Sequence, residues 1–377
     1  MMPEYPRRVP EPRSRPTLSL PTRRAIVVGA GSFGTAVAVL LARGGFRTTL
    51  QTRTPEQART LLDDRENRVY LPGVDLPRDL RIEHVEAGLG RADYVFLGVP
   101  STGVAQTIRG LTKSGLTGRS AVISLAKGLT PPNGLAPTIL LRERFGEARV
   151  ACIGGPSHAR EMVSEGAALV AASTNEDLAR ALAGVFIRAG VVCEQSNDPI
   201  GVELAGAAKN AAGLAAGATE AQGLNAAGAA AGHIFAEVWR YADGQGARPE
   251  SLLGLAGTGD LVATVLAPQS RNRRAGELLA AGVPASEIPD RVGQAVESLE
   301  SVPLLARALN HAGLDAPVTD GLSKLISGEM PLDDWVALVR TTVPPPARWR
   351  PVARGFGGRL VARSRGWRGW LRRDAHA

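Results

Sequence analysis

The first part of the chain alternates short, mostly apolar runs with longer segments of helical periodicity. The runs lie at residues 25–28, 48–52, 94–100, 120–125 and 148–153. Runs of this kind, separated by helical segments, are typical of parallel strands that are covered by helices on both faces. The pattern therefore predicts an α/β fold whose N-terminal part is a Rossmann-like, doubly wound parallel sheet.

From residue 198 the pattern changes to long Ala- and Gly-rich helical stretches, which predict an all-α C-terminal domain. Small residues at helical spacing let neighbouring backbones or a ligand come close. We accordingly divide the chain into a disordered basic tail at 1–24, an α/β domain at 25–196, a helical domain at 197–338 and a Pro-, Arg- and Trp-rich basic tail at 339–377.

The net charge of +8 is concentrated at the two ends of the chain. Residues 1–24 carry +4 and residues 340–377 carry +9, which leaves −5 for the residues between them. A mildly acidic body argues against nucleic acid as a partner. The C-terminal tail mixes Trp367 and Trp370 with arginines, which suits weak contact with an anionic membrane. Its glycines disfavour a helix, so disorder is the alternative.

The cysteine content indicates a reducing compartment. Cys152 and Cys193 lie in apolar strand-like contexts without metal-ligand spacing, so we expect reduced core thiols in a cytoplasmic protein and no metal site. No stretch approaches the roughly 20 uninterrupted apolar residues of a membrane span. The first 22 residues lack the apolar core of a signal peptide.

A glycine-rich motif follows the first predicted strand directly and leads into a helix at 35–41. In a dinucleotide-binding fold Gly29 would make the tight turn, Gly31 would admit the pyrophosphate, and Gly34 would let the helix pack closely on the strand. Arg53 lies nineteen residues after Gly34, near where an acid binds the ribose of NAD. Since a guanidinium suits a 2′-phosphate, the sequence favours NADP over NAD as the cofactor.

Further loops follow predicted strands at the edge of the sheet where ligands bind. Lys127 follows the run at 120–125, where it either points toward phosphate groups or is an ordinary exposed lysine. His158 follows the run at 148–153 and is either a catalytic base or structural, because no carboxylate partner is visible near it.

An anion site is predicted late in the chain. A Gly-Thr-Gly turn sets Asp260 at the start of an apolar segment, Pro268 ends that segment, and Ser270 can cap a new helix that opens with Arg271 and Asn272. Free N–H groups at a helix start and a guanidinium favour a phosphate or carboxylate there. The alternative is a helix cap followed by solvated arginines.

One lysine within the small-residue stretch at 201–219 has the surroundings of a proton donor. Desolvation by an apolar helix would lower the pKa of Lys209, which suits it for general acid–base catalysis. The alternative is a long side chain that extends to solvent.

The motifs occur together in a known order, and the chain from about residue 24 to about residue 330 resembles bacterial NAD(P)-dependent glycerol-3-phosphate dehydrogenases. The motifs that carry the resemblance are GAGSFGTAVA at 29–38, YLPG at 70–73, VPS at 99–101, AKGL at 126–129, GGPSHARE at 154–161, GVELAGAAKN at 201–210, GLAGTGDL at 254–261 and SRNRR at 270–274.

The resemblance implies a role for each matching residue. The residues it implies for the cofactor are Gly29, Gly31, Ser32, Phe33, Gly34, Arg53, Lys127, Ala159, Arg271 and Glu297. The residues it implies for the phosphorylated substrate are Lys127, Gly155, Ser157, Lys209, Asp260, Ser270, Arg271 and Asn272. Of these, Lys209 would be catalytic, with Asp260 as its carboxylate partner and Lys127 beside them.

The activity implied is reversible hydride transfer between NAD(P)H and dihydroxyacetone phosphate, which yields sn-glycerol 3-phosphate for phospholipid synthesis, in a homodimer. Phe33 and Ser298, which replaces a usual glycine, depart from the family pattern, as do Ala227, Gly232 and His233 within residues 225–237. Two alternatives remain: a related NADP-dependent hydroxyacid or ketoacid dehydrogenase, and an NADP-binding regulatory homologue without turnover.

Overall fold

An eight-stranded sheet forms the N-terminal part of the fold in the computed structural model, which describes residues 23–116 and 118–343. Two further strands, β3 Glu66–Asn67 and β4 Leu71–Asp75, form a separate hairpin. The strands of the sheet are β1 Arg24–Val28, β2 Arg47–Thr52, β5 Arg81–His84, β6 Tyr94–Leu97, β7 Ala121–Ser124, β8 Val150–Gly154, β9 Ala168–Ala172 and β10 Val192–Ser196.

Helices cover the sheet, and helices joined by turns and loops form the rest of the described chain. Their bounds are α1 Ser32–Arg43, α2 Pro55–Asp64, α3 Val104–Lys113, α4 Pro137–Phe145, α5 Ala159–Ser164, α6 Glu176–Arg188, α7 Pro199–Thr219, α8 Leu224–Gly244, α9 Pro249–Leu253, α10 Asp260–Leu266, α11 Arg271–Ala280, α12 Ile288–Val292, α13 Glu297–His311, α14 Pro317–Ser327 and α15 Leu332–Thr341.

Alternate residues of the central strand β1 enter different hydrophobic clusters. Ala25 and Val27 pack with α1 and α6 on one side, whereas Ile26 and Val28 pack with α3 and α4 on the other. This is the period-two alternation of a strand that is covered on both faces. The prediction of a Rossmann-like sheet followed by a helical part is confirmed.

The sheet departs from an all-parallel arrangement at one edge. Its strand order is β10-β9-β8-β7-β6-β1-β2-β5, and β8 and β9 are the antiparallel neighbours in it. Gly155 explains the reversal: it has φ +96°, and a Cβ there would lie 2.5 Å from the carbonyl oxygen of Ala168. The chain can therefore turn back beside β8, while the short helix α5 packs against α1.

Helix α7 is the centre of the helical part and is buried along almost its whole length. Its first turn is capped by Asp198, whose carboxylate accepts a hydrogen bond from the N–H of Gly201 at 2.8 Å. Glycines allow α7 and α11 to touch through their backbones. A Cβ on Gly217 would lie 2.0 Å from the carbonyl oxygen of Arg273, and one on Gly276 equally close to that of Leu214.

The predicted Gly-Thr-Gly turn is wrong in detail. Residues 255–259 form a π-helical turn that continues directly into α10, so the chain winds into Asp260 instead of turning sharply. Gly257 makes this possible, because a Cβ there would lie 2.0 Å from the carbonyl oxygen of Leu252.

Among the described residues, no single helix has the length and apolar character of a membrane span; one bent pair, Pro249–Leu266 with Arg271–Ala280, meets that criterion jointly. Cys152 and Cys193 are buried free thiols, as expected. The predicted tails at 1–24 and 339–377 lie almost wholly outside the described residues.

Candidate active site beside helix α7

The glycine loop after β1 has the geometry that an anion requires. Gly29 has φ +110°, and a Cβ on Gly34 would lie 2.2 Å from the carbonyl oxygen of Gly29, so both positions need glycine. Gly31 has open space on its Cβ side. Helix α1 then begins at Ser32 without a side-chain cap, which leaves its first N–H groups available to a phosphate.

Arg53 lies just beyond the end of β2 at the same edge of the sheet. The pairing of Val28 with Gln51 places it next to the glycine loop, and its side chain is exposed. Its carbonyl oxygen lies 3.1 Å from Nε2 of His84. Because the Arg53 side chain is exposed, its guanidinium can reach a ligand that enters from solvent.

Two lysines meet at one buried carboxylate. Lys127 Nζ lies 2.7 Å from Asp260 Oδ2, and Lys209 Nζ lies 3.4 Å from Oδ1 of the same residue. Lys209 is only 8% exposed and also donates to Thr264 Oγ1 at 3.2 Å, so the alternative of a side chain extending to solvent is wrong. The three side chains come from the loop after β7, from α7 and from the first residue of α10.

Burial and mutual attraction determine the charges of this triad. Desolvation lowers the pKa of Lys209 to about 8, against the opposing attraction of Asp260 and with a further contribution from the positive charge of Lys127. Burial raises the pKa of Asp260, but the attraction of Lys127 and Lys209 together outweighs it and brings the pKa below its usual value. Asp260 is thus ionised at neutral pH, and Lys209 can both give and take a proton there.

Lys127 also joins the triad to the loop after β8. Its Nζ donates to the carbonyl oxygen of Gly155 and to Ser157 Oγ, both at 2.9 Å, and lies 5.4 Å from the centre of the Phe33 ring. Ala159 is the first residue of α5 and packs, like Phe33, against the core of the sheet. Lys127 is therefore not an ordinary exposed loop lysine.

A chain of amide groups links α11 to the Lys127 loop. Asn272 donates through Nδ2 to Asn210 Oδ1 at 2.8 Å, and Asn210 donates to the carbonyl oxygen of Lys127 at 2.8 Å and to Glu297 Oε2 at 3.3 Å. The N–H of Ser298 in turn donates to Asn272 Oδ1 at 3.4 Å. These contacts bring the start of α11 beside Lys209 and the sheet edge.

Ser270 caps α11 as predicted, since its hydroxyl accepts from the N–H of Arg273. Arg271 is exposed, and its guanidinium donates to the carbonyl oxygen of Ala295 at 3.0 Å. Gln294 Oε1 lies 3.4 Å from this guanidinium and 3.3 Å from Ser32 Oγ, so it bridges the anion site of α11 and the glycine loop.

Two residues of this arrangement, Thr264 and Gln294, were not predicted from the sequence. Thr264 lies one helical turn after Asp260, a spacing that could have indicated it. Gln294 belongs to no local sequence motif, and its position depends on the loop before α13.

His158 contacts the carbonyl oxygen of Ala263 through Nε2 at 3.2 Å. Among the described residues no group of three or more His, Cys, Asp or Glu could hold a metal ion.

Comparison with known proteins agrees with this arrangement. The models described as NAD-dependent glycerol-3-phosphate dehydrogenase N-terminus and C-terminus match residues 24–179 and 198–337. Glycerol-3-phosphate dehydrogenase (NAD(P)+) of Deinococcus radiodurans is 37% identical over 310 residues, which cover 80% of this chain and 90% of that protein. The chain belongs to the NAD-dependent glycerol-3-phosphate dehydrogenase family.

Other members of the glycerol-3-phosphate dehydrogenase family give the same result. The Moorella thermoacetica protein is 37% identical over 316 residues, covering 82% of this chain and 93% of its own length. The crystal structure of the Coxiella burnetii glycerol-3-phosphate dehydrogenase superposes with a TM-score of 0.81 at 28% identity, over 85% of this chain and all of that one. A ketopantoate reductase family structure from Ralstonia eutropha, with a TM-score of 0.56 at 20% identity over 83% of this chain and 99% of that one, shares the fold alone.

Proposed function

We propose that this chain is an NAD(P)-dependent glycerol-3-phosphate dehydrogenase, which interconverts dihydroxyacetone phosphate and sn-glycerol 3-phosphate for phospholipid synthesis. The observation that carries the proposal is the pair of lysines on buried Asp260, set between the glycine loop and the capped start of α11. A nucleotide site, a proton donor and an anion site are thereby joined in one network, as dehydrogenation of a phosphorylated alcohol requires.

The residues present fit a dinucleotide. Gly31 leaves room for the pyrophosphate, and the uncapped first turn of α1 offers N–H donors to it. Ser32, Phe33, Ala159 and Glu297 would contact the rest of the dinucleotide, and the 5.4 Å distance between the Phe33 ring and Lys127 Nζ supports this for Phe33. NAD(P)H, when bound, supplies the hydride. Arg53 supports a preference for NADP, because an exposed guanidinium beside the loop suits a 2′-phosphate.

On the substrate side, Arg271, Asn272 and the first turn of α11 would hold the phosphate, with Gly155 and Ser157 lining the opposite wall. Lys209 is the proton donor to the ketone oxygen in reduction and the acceptor in oxidation, since its pKa, lowered to about 8, lies close to neutral pH. Asp260 orients the two ammonium groups, and its burial strengthens their attraction relative to water. Lys127 places a second positive charge near the oxygen on which negative charge develops.

The test is to follow NADPH absorbance with three potential acceptors: dihydroxyacetone phosphate, unphosphorylated dihydroxyacetone and ketopantoate. The proposal expects turnover with the phosphorylated ketone and a loss of at least about 10²-fold in kcat/KM without the phosphate. Preference for ketopantoate would replace it with the ketoacid alternative. NADPH binding without turnover of any acceptor would indicate a regulatory homologue, which the intact lysine pair on Asp260 argues against.

We also propose a homodimer, a cytoplasmic location and weak contact of the C-terminal tail with anionic membranes. The family resemblance supports the first and the two buried free thiols support the second. For the third, co-sedimentation with anionic vesicles compares the full chain with a version that ends at Val343. Equal binding by both would remove the membrane proposal, and sedimentation velocity of the same samples tests the dimer.

A further inference from the structure

Residues 124–138 carry Lys127 across the surface of α7 and are called the Lys127 strap below. The strap begins at the last residue of β7 and ends at the second residue of α4. Between these ends Thr130 and Leu135 pair in an isolated bridge. A Cβ on Gly206 of α7 would lie 3.5 Å from the Cα and Cβ of Lys127, so the helix surface directly supports this lysine.

Glu203 holds the far end of the Lys127 strap and interacts with its near end. Its carboxylate accepts hydrogen bonds from the N–H of Thr138 at 3.0 Å and from Thr138 Oγ1 at 2.5 Å. The Ser124 hydroxyl also interacts with it and lowers its pKa. Ser124 Oγ accepts in turn from the N–H of Ala126, next to Lys127. Glu203 is only 2% exposed.

The three contacts of α7 with the strap lie on one face of the helix. Glu203, Gly206 and Asn210 are separated by three and four residues, which places them one above another. Asn210 donates to the carbonyl oxygen of Lys127, and a Cβ on Gly206 would be in van der Waals contact with the Cα and Cβ of Lys127. Glu203 thus completes a support under Lys127, although it contacts none of the groups that we assign to the substrate or the cofactor.

We propose that Glu203 is a positioning residue, which sets the place of the Lys127 ammonium at Asp260 by holding both ends of the strap against α7. The inference rests on the proposed function. Gln at this position keeps one carbonyl acceptor but loses the second, and its NH₂ group adds a donor where the hydroxyl and N–H donors of Thr138 already point. The strap ends would then separate from α7, and Lys127 would lose its contacts with Gly155, Ser157 and Asp260.

The chain contains a matched control. Glu237 on α8 is 4% exposed and accepts from the N–H of Thr319 at 2.8 Å, from Thr319 Oγ1 at 2.6 Å and from the N–H of Val318 at 3.0 Å. It therefore makes the same kind of contact with the start of α14 that Glu203 makes with the start of α4. No residue of the proposed site lies on α14.

The experiment compares Glu203→Gln with Glu237→Gln, each alone and combined with Lys127→Met. Both Gln variants are expected to lower the thermal unfolding midpoint. Glu203→Gln alone should lower kcat/KM for dihydroxyacetone phosphate by about tenfold, and by less than about twofold in the Lys127→Met background, because coupled residues are non-additive. Equal factors in both backgrounds, or an equal loss in Glu237→Gln, would overturn the inference.

A second readout needs no turnover. Acetic anhydride modifies lysines according to their exposure, and mass spectrometry gives the rate at Lys127 relative to exposed Lys113 on α3. Glu203→Gln should raise this ratio and Glu237→Gln should not; an unchanged ratio in Glu203→Gln contradicts the positioning role. If wild-type protein fails to turn over dihydroxyacetone phosphate while the ratio rises, the proposed function is removed and the support of Lys127 stands. Thr138→Val, with Thr319→Val as its control, replaces the Gln variants if they do not fold.

Discussion

At the scale of single residues, two ammonium groups, those of Lys127 and Lys209, share the single carboxylate of Asp260. One carboxylate charge cannot neutralise two ammonium groups, and the shorter contact goes to Lys127. Lys209 is left with the longer contact, and desolvation lowers its pKa, whereas Lys127 also donates to Gly155 and Ser157. The same arrangement therefore separates the proton donor Lys209 from a second ammonium group, Lys127, which is held by several hydrogen bonds.

This separation predicts the pH dependence of catalysis. Ketone reduction needs protonated Lys209, so kcat for reduction should fall as pH rises through about 8, and kcat for alcohol oxidation should rise over the same range. Lys209→Ala should lower kcat by about 10²-fold or more and abolish this titration. Initial rates in both directions from pH 6 to 10 test it; a retained titration in the variant would assign the proton to another group.

A second prediction concerns the anion site. Arg271→Ala removes a charged donor at the start of α11 and should raise KM for dihydroxyacetone phosphate by about tenfold or more, with a smaller change in kcat. Arg274→Ala, three residues on in the same helix and also exposed, is the control. Steady-state kinetics with saturating NADPH measure both. Similar KM values for the two variants would place the phosphate elsewhere.

Most residues of the candidate site could be proposed from the sequence because they occur in motifs next to strand ends or helix starts. The contacts between these residues could not be predicted from the sequence. The meeting of Lys127 and Lys209 at Asp260 joins positions 133 and 51 residues apart, and Gln294 depends on a loop that no motif marks. Such contacts follow from the packing of α7 against the sheet, which local patterns do not contain.

At the scale of elements, the apolar runs predicted five strands of the sheet, but not the reversal of β9. The direction of a strand depends on what the neighbouring chain allows, here a glycine at 155 against the backbone of β9. In the sequence, only the general abundance of small residues indicated the close contact of α7 with α11. The structure shows that Gly217 and Gly276 are the two positions in this contact that require glycine.

Gly→Ala changes inside and outside this contact should have opposite effects on stability. In Gly276→Ala a Cβ would lie 2.0 Å from a carbonyl oxygen, and forcing α11 away should lower the free energy of unfolding by about 1–3 kcal/mol or more. Gly232→Ala, on the open face of α8 with nothing within 4 Å, should raise it by roughly 0.5–1 kcal/mol. Urea unfolding measures both. Destabilisation of equal size would contradict the close packing.

At the scale of the whole molecule, buried carboxylates fasten helices to one another: Asp198 caps α7, Glu203 holds α4 and Glu237 holds α14. The burial of Glu203 makes the stability of the fold depend on pH. Desolvation raises the pKa of Glu203 from 4.5 to about 7, despite the hydrogen bonds from Thr138. The folded chain therefore binds a proton over a range in which the unfolded chain has released it.

The stability of the fold should fall as pH rises through the range in which Glu203 loses its proton. The stability that Glu203 contributes is fully present below its unfolded pKa of 4.5 and is lost as pH rises through about 7. The wild type should therefore lose stability relative to Glu203→Gln between pH 5 and 8, by up to about 1.4 kcal/mol per pH unit. Denaturant unfolding of both proteins over this range measures the difference. A difference that is constant with pH would show that Glu203 does not titrate there.

Helix α7 combines these scales, because one unbroken rod presents Glu203, Gly206 and Asn210 to the strap, Lys209 to Asp260, and Gly217 to α11. Each added or deleted residue turns everything beyond it by about 100° and moves it along the axis by about 1.5 Å. A single insertion between positions 203 and 217 would thus uncouple the two ends of the site at once. The length of this segment is consequently expected to be invariant among functional descendants of the chain, even where its side chains change.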